Sequence, residues 1–98
     1  MIIQVVYTFD VHPSDAQRFE RAWTHIVHAH AGHGALGSSL LRDPEQPNLW
    51  CAISRWVDRS TWEQNRTDDA HPEAYAVFRE CATVLSKQVF EQRQHIVA

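Results

Sequence analysis

Apolar residues change their spacing along this chain, and the order of those changes constrains the fold more than any other feature. Ile3, Val5, Tyr7 and Phe9 alternate with Gln4, Val6, Thr8 and Asp10. Period two with β-branched and aromatic residues predicts a strand. One face of it is wholly apolar and the other is mixed. His12-Pro13-Ser14-Asp15 then breaks the alternation. Ser14 and Gln17 have the spacing of a capping box, and Asp15 suits the positive end of a helix. Ala16, Phe19, Trp23, Ile26 and Val27 follow at three-four spacing, which makes one helical stripe. Gly32 and Gly34 favour left-handed backbone and place the helix end near Ala31.

Leu36 to Arg42 predicts a second strand, with Gly37 as a bulge or a point of close backbone approach. Asp43-Pro44-Glu45-Gln46-Pro47-Asn48 is a turn, and Leu49 to Val57 predicts a third strand. The short turn makes these two strands an antiparallel hairpin. Ser60-Thr61-Trp62-Glu63 reads as a capping box, with Ser60 as the cap of a short helix reaching about Arg66. Pro72 fits the first turn of a further helix, whose stripe is Tyr75, Phe78, Ala82 and Leu85, with Cys81 beside it. Val89 to Val97 predicts the last strand.

The order is strand, helix, strand, strand, helix, strand. With right-handed crossovers this predicts an α+β fold: a ferredoxin-like βαββαβ sandwich with a four-stranded antiparallel sheet and its helices on one face. At 98 residues the chain has material for one core, so a single domain over residues 1–98 is expected. The sheet face away from the helices is not uniformly polar. Soluble monomers avoid large apolar patches, so the pattern predicts a homodimer with two sheets face to face.

Composition excludes several function classes. Apolar residues make up 44% and charged residues 21%, which argues against disorder. A net charge of -3 lacks the basic field of a nucleic-acid binder. No apolar run approaches the roughly 18–20 residues that span a bilayer, so no membrane association is expected. The start of the chain has neither a basic leader nor a small-residue cleavage site. Cys51 and Cys81 stand outside metal and redox spacings. They predict two buried, reduced thiols and a cytoplasmic location.

Four tryptophans and seven histidines stand out. Tryptophan buries much area per residue, so four of them point to a pocket or an interface as well as a core. His25, His28, His30 and His33 form the densest histidine cluster. Histidine pairs at helical spacing serve zinc sites when a third ligand completes them. The same residues also suit the negative pole of a helix end, and no metal site is expected. His12 and His95 read as loop and strand-surface residues. No Gly-x-Ser-x-Gly elbow occurs, and Gly34-Ala35-Leu36-Gly37-Ser38-Ser39 lacks the lysine of a phosphate loop.

The stretch Trp56-Val57-Asp58-Arg59-Ser60-Thr61-Trp62-Glu63-Gln64-Asn65 runs from a strand end into a capped helix. Together with Gly34-x-x-Gly37-Ser38 and the Arg42-Asp43-Pro44 turn, it resembles the antibiotic biosynthesis monooxygenase domain family. The resemblance covers nearly the whole chain in element order and length, and its motifs are moderately specific. It implies a dimeric α+β barrel made by two ferredoxin-like sheets. It also implies cofactor-independent oxygenation of a phenolic, quinol or polycyclic aromatic molecule, with no flavin or metal.

In the family's monooxygenases a tryptophan ends strand three, with an aromatic six and an asparagine nine residues later. Trp56, Trp62 and Asn65 match that pattern and are the expected catalytic residues. Tyr7, His71 and Tyr75 are the expected substrate-binding residues. Some active members carry an asparagine four residues before the strand tryptophan, where this chain has Ala52. That departure suits the alternative, a non-catalytic ligand-binding or sensing barrel. A haem-degrading monooxygenase is the third reading. The positions matching that branch are Tyr7, Asn65 and Tyr75, and none keeps the branch's residue.

Overall fold

The structure is a computed structural model and describes residues 1–65 and 72–98. Strand β1 is Ile3–Val11 and helix α1 is Ala16–His30, with a 3-10 turn at Pro13–Asp15 between them. Strands β2 (Ala35–Arg42) and β3 (Leu49–Trp56) form the expected hairpin. Helix α2 is Arg59–Asn65, α3 is Pro72–Cys81 and β4 is Ala82–Glu91. The sheet order is β2-β3-β1-β4 with every neighbouring pair antiparallel. This is the predicted ferredoxin-like βαββαβ arrangement.

Register decides which residues meet the helices. Ile3, Val5, Tyr7 and Phe9 stand opposite Trp56, Ser54, Ala52 and Trp50, so these eight share one face. Two buried clusters form on it. Phe9, Val11, Phe19, Trp50 and Cys81 make one, and Ile3, Val5, Trp56 and Trp62 make the other. Phe19 of α1 anchors the first, with ring centroids 5.5 Å from Phe9, 5.3 Å from Trp50 and 4.8 Å from Phe78. Half-buried Tyr7 touches both clusters, so the space between them lies over the middle of β1. The other sheet face carries Val6, Cys51 and Ile53, half-buried, flanked by Leu41 and Phe90, about half exposed at 49% and 50%. It is mixed, as the alternation in β1 predicts.

Several local expectations change. Ser14 does not cap α1: it lies inside the 3-10 turn, which His12 caps by accepting the Ser14 backbone N–H on Nδ1 at 3.1 Å. The cap position of α1 falls on Asp15, which makes no side-chain cap bond. The proline turn takes up Ser14 and Asp15, so α1 begins one residue after Asp15. The cap of α2 is Asp58 rather than Ser60, because the Thr61 N–H donates to Asp58 Oδ1 at 2.7 Å. That bond holds the Asp58 carboxyl below the usual carboxylate range.

The largest correction concerns the last strand. It starts at Ala82, directly after α3, and ends at Glu91 rather than Val97. Ala82 and Leu85 therefore leave the helical stripe. Ala82 and Val84 pair with Val11 and Phe9, while Leu85 is the extra residue of a bulge between the Thr8 and Phe9 pairings. Non-local pairing along β1 thus outweighs the local helical spacing. A bulge also falls at Leu36–Gly37 in β2, as Gly37 predicts. Only Cys81 is a buried thiol, its pKa raised by burial. Cys51 is half-buried on the face away from the helices. Among the described residues no helix is long and apolar enough to cross a membrane.

Candidate active site

The gap between the two core clusters is a cavity of about 270 Å³, close to the lower end of small-ligand pockets, roughly 300–1,000 Å³. Its floor is the sheet, with Tyr7 from β1 and Ala52, Ser54 and Trp56 from β3. Trp23, Ile26, Val27 and His30 of α1 form one wall. Tyr75, Phe78 and Arg79 of α3 form another, and Trp62 of α2 closes the end. Ala52 stands opposite Tyr7 in the register. A side chain of one carbon there leaves the floor open, where a longer one would fill it.

Polar groups are few and placed. The Tyr75 hydroxyl lies 3.3 Å from His30 Nε2. The His30 ring sits 5.2 Å from Trp56, tilted by 60°. The Trp56 indole N–H donates to Ser54 Oγ at 3.1 Å. The Lys87 ammonium lies 5.7 Å above the Trp62 ring, within cation–π range. Tyr7 stacks on Phe9 with centroids 5.7 Å apart and planes within 9°. An apolar chamber with a phenol–imidazole pair joining two of its walls can bind a flat aromatic molecule and take a proton from its hydroxyl.

Of the six expected site residues, Tyr7, Trp56, Trp62 and Tyr75 meet at this cavity. Asn65 is not among its lining residues. Its amide donates to the Thr61 carbonyl at 2.8 Å and to the His33 carbonyl at 3.4 Å. Asn65 thus ties the end of α2 to the loop before β2. His71 lies outside the described residues. The histidine cluster separates: His30 faces the cavity, while His25 faces an open groove between α1 and α3. Among the described residues no three His, Cys, Asp or Glu side chains converge to hold a metal ion.

Sequence reasoning missed His30 as a cavity residue. It lies four residues after Ile26 and seven after Trp23, so it continues the apolar stripe by one turn. Arg79, four residues after Tyr75, follows the same logic on α3.

An aromatic cavity thus lies between an antiparallel ferredoxin-like sheet and the helices of an α+β domain. The sequence model of the antibiotic biosynthesis monooxygenase family matches residues 1–77, and the chain belongs to that family. A comparison with curated proteins finds no match. Among solved structures the chain is similar to SnoaB, a cofactor-independent oxygenase from Streptomyces nogalater. The identity is 22% over 97% of this chain and 96% of that one, with a TM-score of 0.83. A conserved protein from Methanosarcina mazei is 18% identical over 95% and 94% of the two chains, with a TM-score of 0.81. Rv0793 from Mycobacterium tuberculosis is 14% identical over 99% and 100%, with a TM-score of 0.78. At these identities the likenesses bear on fold.

Proposed function

We propose that the chain is a cofactor-independent monooxygenase acting on a phenolic, quinol or polycyclic aromatic small molecule. The observation that carries the proposal is the aromatic cavity with the Tyr75–His30 pair bridging its α3 and α1 walls. A phenol held there and deprotonated is electron-rich enough to reduce dioxygen by one electron. The aryloxyl radical and superoxide then combine at a ring carbon. Loss of water from the resulting hydroperoxide leaves a carbonyl. One phenol with a ring C–H and one dioxygen give one quinone and one water, so no outside reductant is consumed. Trp56, Trp62 and Tyr7 wall off bulk water, which strengthens each polar contact to the anion. Trp56 serves as a wall whose N–H is taken by Ser54. Asn65 acts by holding α2, and with it Trp62, in place.

The working unit in this proposal is a homodimer. The face of Val6, Cys51, Ile53, Leu41 and Phe90 supports it, because burying those side chains against a second copy removes apolar surface from water. Two free cysteines fit a reducing, cytoplasmic setting.

Ala52 favours a second reading, a binding or sensing module, because it offers no amide or hydroxyl to an oxygen intermediate. Oxygen-electrode measurements with anthrone and simple hydroquinones separate the two. Uptake above the buffer rate, lost in Tyr75→Phe, is the expected result. Quenching of tryptophan fluorescence without any uptake would leave only the binding module.

A further inference from the structure

We infer that His30 sets the ionisation of the bound phenol, acting through Tyr75. The inference rests on the reading of the cavity as a phenol site and adds the destination of the proton. A tyrosine hydroxyl alone is a poor proton acceptor near neutral pH, because an unperturbed phenol becomes a base only on ionising, near pH 10. With His30 Nε2 3.3 Å from that hydroxyl, the pair becomes a relay. The ligand's O–H proton passes to the Tyr75 oxygen while the Tyr75 proton passes to Nε2. Tyr75 ends neutral, His30 ends as imidazolium and the ligand as phenolate. Atoms and charge balance, and nothing is oxidised in this step.

The placement of His30 suits that role. It sits in the last turn of α1, where the helix carbonyls favour a cation. The Trp56 ring, 5.2 Å away, presents an aromatic surface to it. Among the described residues, the titratable groups lining the cavity are Tyr7 on β1, His30 on α1 and Tyr75 and Arg79 on α3, and the Lys87 ammonium of β4 lies over the Trp62 ring beside it. Arg79 brings a guanidinium to the same wall as Tyr75. Tyr7 and Tyr75 titrate far above neutrality when unperturbed. An imidazole is the side chain whose ordinary charge change lies closest to neutrality, so among these groups His30 is the one suited to take up the proton. In this scheme it is the positioning residue of the Tyr75 hydroxyl and the store for its proton.

The test uses 4-nitrophenol, whose neutral and ionised forms differ in colour, with the full chain. Tryptophan quenching gives its affinity and absorbance gives the ionised fraction of the bound probe across pH. In the wild type the bound probe should ionise at least about one pH unit lower than in His30→Gln, a tenfold change in the equilibrium. Affinity for the neutral probe should change less than threefold. Tyr75→Phe keeps the ring packing and should give the same shift. The double variant should add nothing further, because the two residues form one relay.

Binding with identical ionisation curves in wild type and His30→Gln would overturn the inference while leaving the phenol site standing, with Arg79 and Lys87 as the sources of any field. A shift in His30→Gln that Tyr75→Phe does not reproduce would overturn the relay. Failure of the wild type to bind any phenolic probe would overturn both the inference and the functional reading beneath it.

Discussion

Gly34 offers the sharpest test of how the site is held. It has φ +95°, and Gly32, two residues earlier, has φ +82°. Both lie where an L-residue pays a backbone penalty of about 1–2 kcal/mol. Replacing either by alanine also narrows the unfolded ensemble, which returns about 0.4–1 kcal/mol. Around Gly32 nothing lies within 4 Å of an added Cβ, so Gly32→Ala should cost about 1 kcal/mol. At Gly34 the new Cβ would overlap the Thr61 Cγ2 methyl and come within 3.2 Å of Val57 Cγ2. Overpacking of that kind adds about 1–3 kcal/mol, so Gly34→Ala should cost about 2–4 kcal/mol in total.

The difference has a functional side. The Gly34 carbonyl accepts the Val57 N–H at 3.0 Å, and the neighbouring His33 carbonyl accepts the Asn65 amide at 3.4 Å. Pushing the loop away from Thr61 moves α2, and Trp62 moves with it. Urea titrations followed by circular dichroism should show a lower midpoint with an unchanged slope for both variants, and a clearly lower one for Gly34→Ala. Thr61→Ser removes the clashing methyl, so Gly34→Ala with Thr61→Ser should return to about the level of Gly32→Ala. Equal costs at the two glycines, or no recovery with Thr61→Ser, would show that α2 does not rest on this contact.

Four further outcomes are expected. Trp62→Phe should fold with a loss under about 1.5 kcal/mol, yet weaken quenching by a hydroquinone. Unchanged ligand response with a large stability loss would make Trp62 a core residue alone. Trp50→Phe should cost less than its lost volume suggests. The buried Trp50 Nε1 has no hydrogen-bond partner among the described residues, and an orphaned donor carries a penalty of about 1–3 kcal/mol. Melting temperatures of the two proteins decide it. Asp58 has a folded-state pKa below its unfolded value, so its stabilisation is complete above the unfolded value of about 4 and is lost as pH falls through the folded one. Asp58→Asn should therefore flatten the acid limb of a melting-temperature profile while still accepting the Thr61 N–H. Sedimentation equilibrium at micromolar concentration should give about twice the chain mass, and a mass near 11.3 kDa would refute the dimer.

The sheet was legible where one face of a strand is buried and the other is not. Ile3, Val5 and Phe9 sink into the core while Asp10 stays exposed, and that contrast writes itself as period two. The boundary between α3 and β4 was not legible, because no turn separates them. Tyr75, Phe78, Ala82 and Leu85 keep helical spacing across the junction, so periodicity alone runs the helix on. What ends it is pairing with Val11 and Phe9, more than seventy positions away in the sequence. Polar ends of the helices misled in a milder way. Ser14 and Ser60 are good caps by type, but Ser14 is taken into a 3-10 turn capped by His12, and Asp58 lies where the chain turns into α2 and accepts the Thr61 N–H.

The site was half legible for a related reason. Trp56 and Trp62 sit on separate elements, and their meeting depends on the sheet register and on the docking of α2, which a motif spacing only encodes by resemblance. Asn65 kept the spacing, but its amide is satisfied by the Thr61 and His33 carbonyls. His30 was hidden by its company. Three other histidines within a few positions suggested a solvated helix end or a metal, although only His30 continues the stripe of Trp23 and Ile26. A histidine in the register of a leucine would cost stability if it met only apolar neighbours. Here it meets the Tyr75 hydroxyl. That pairing satisfies the ring nitrogen and places an imidazole beside a phenol at the edge of a largely aromatic chamber.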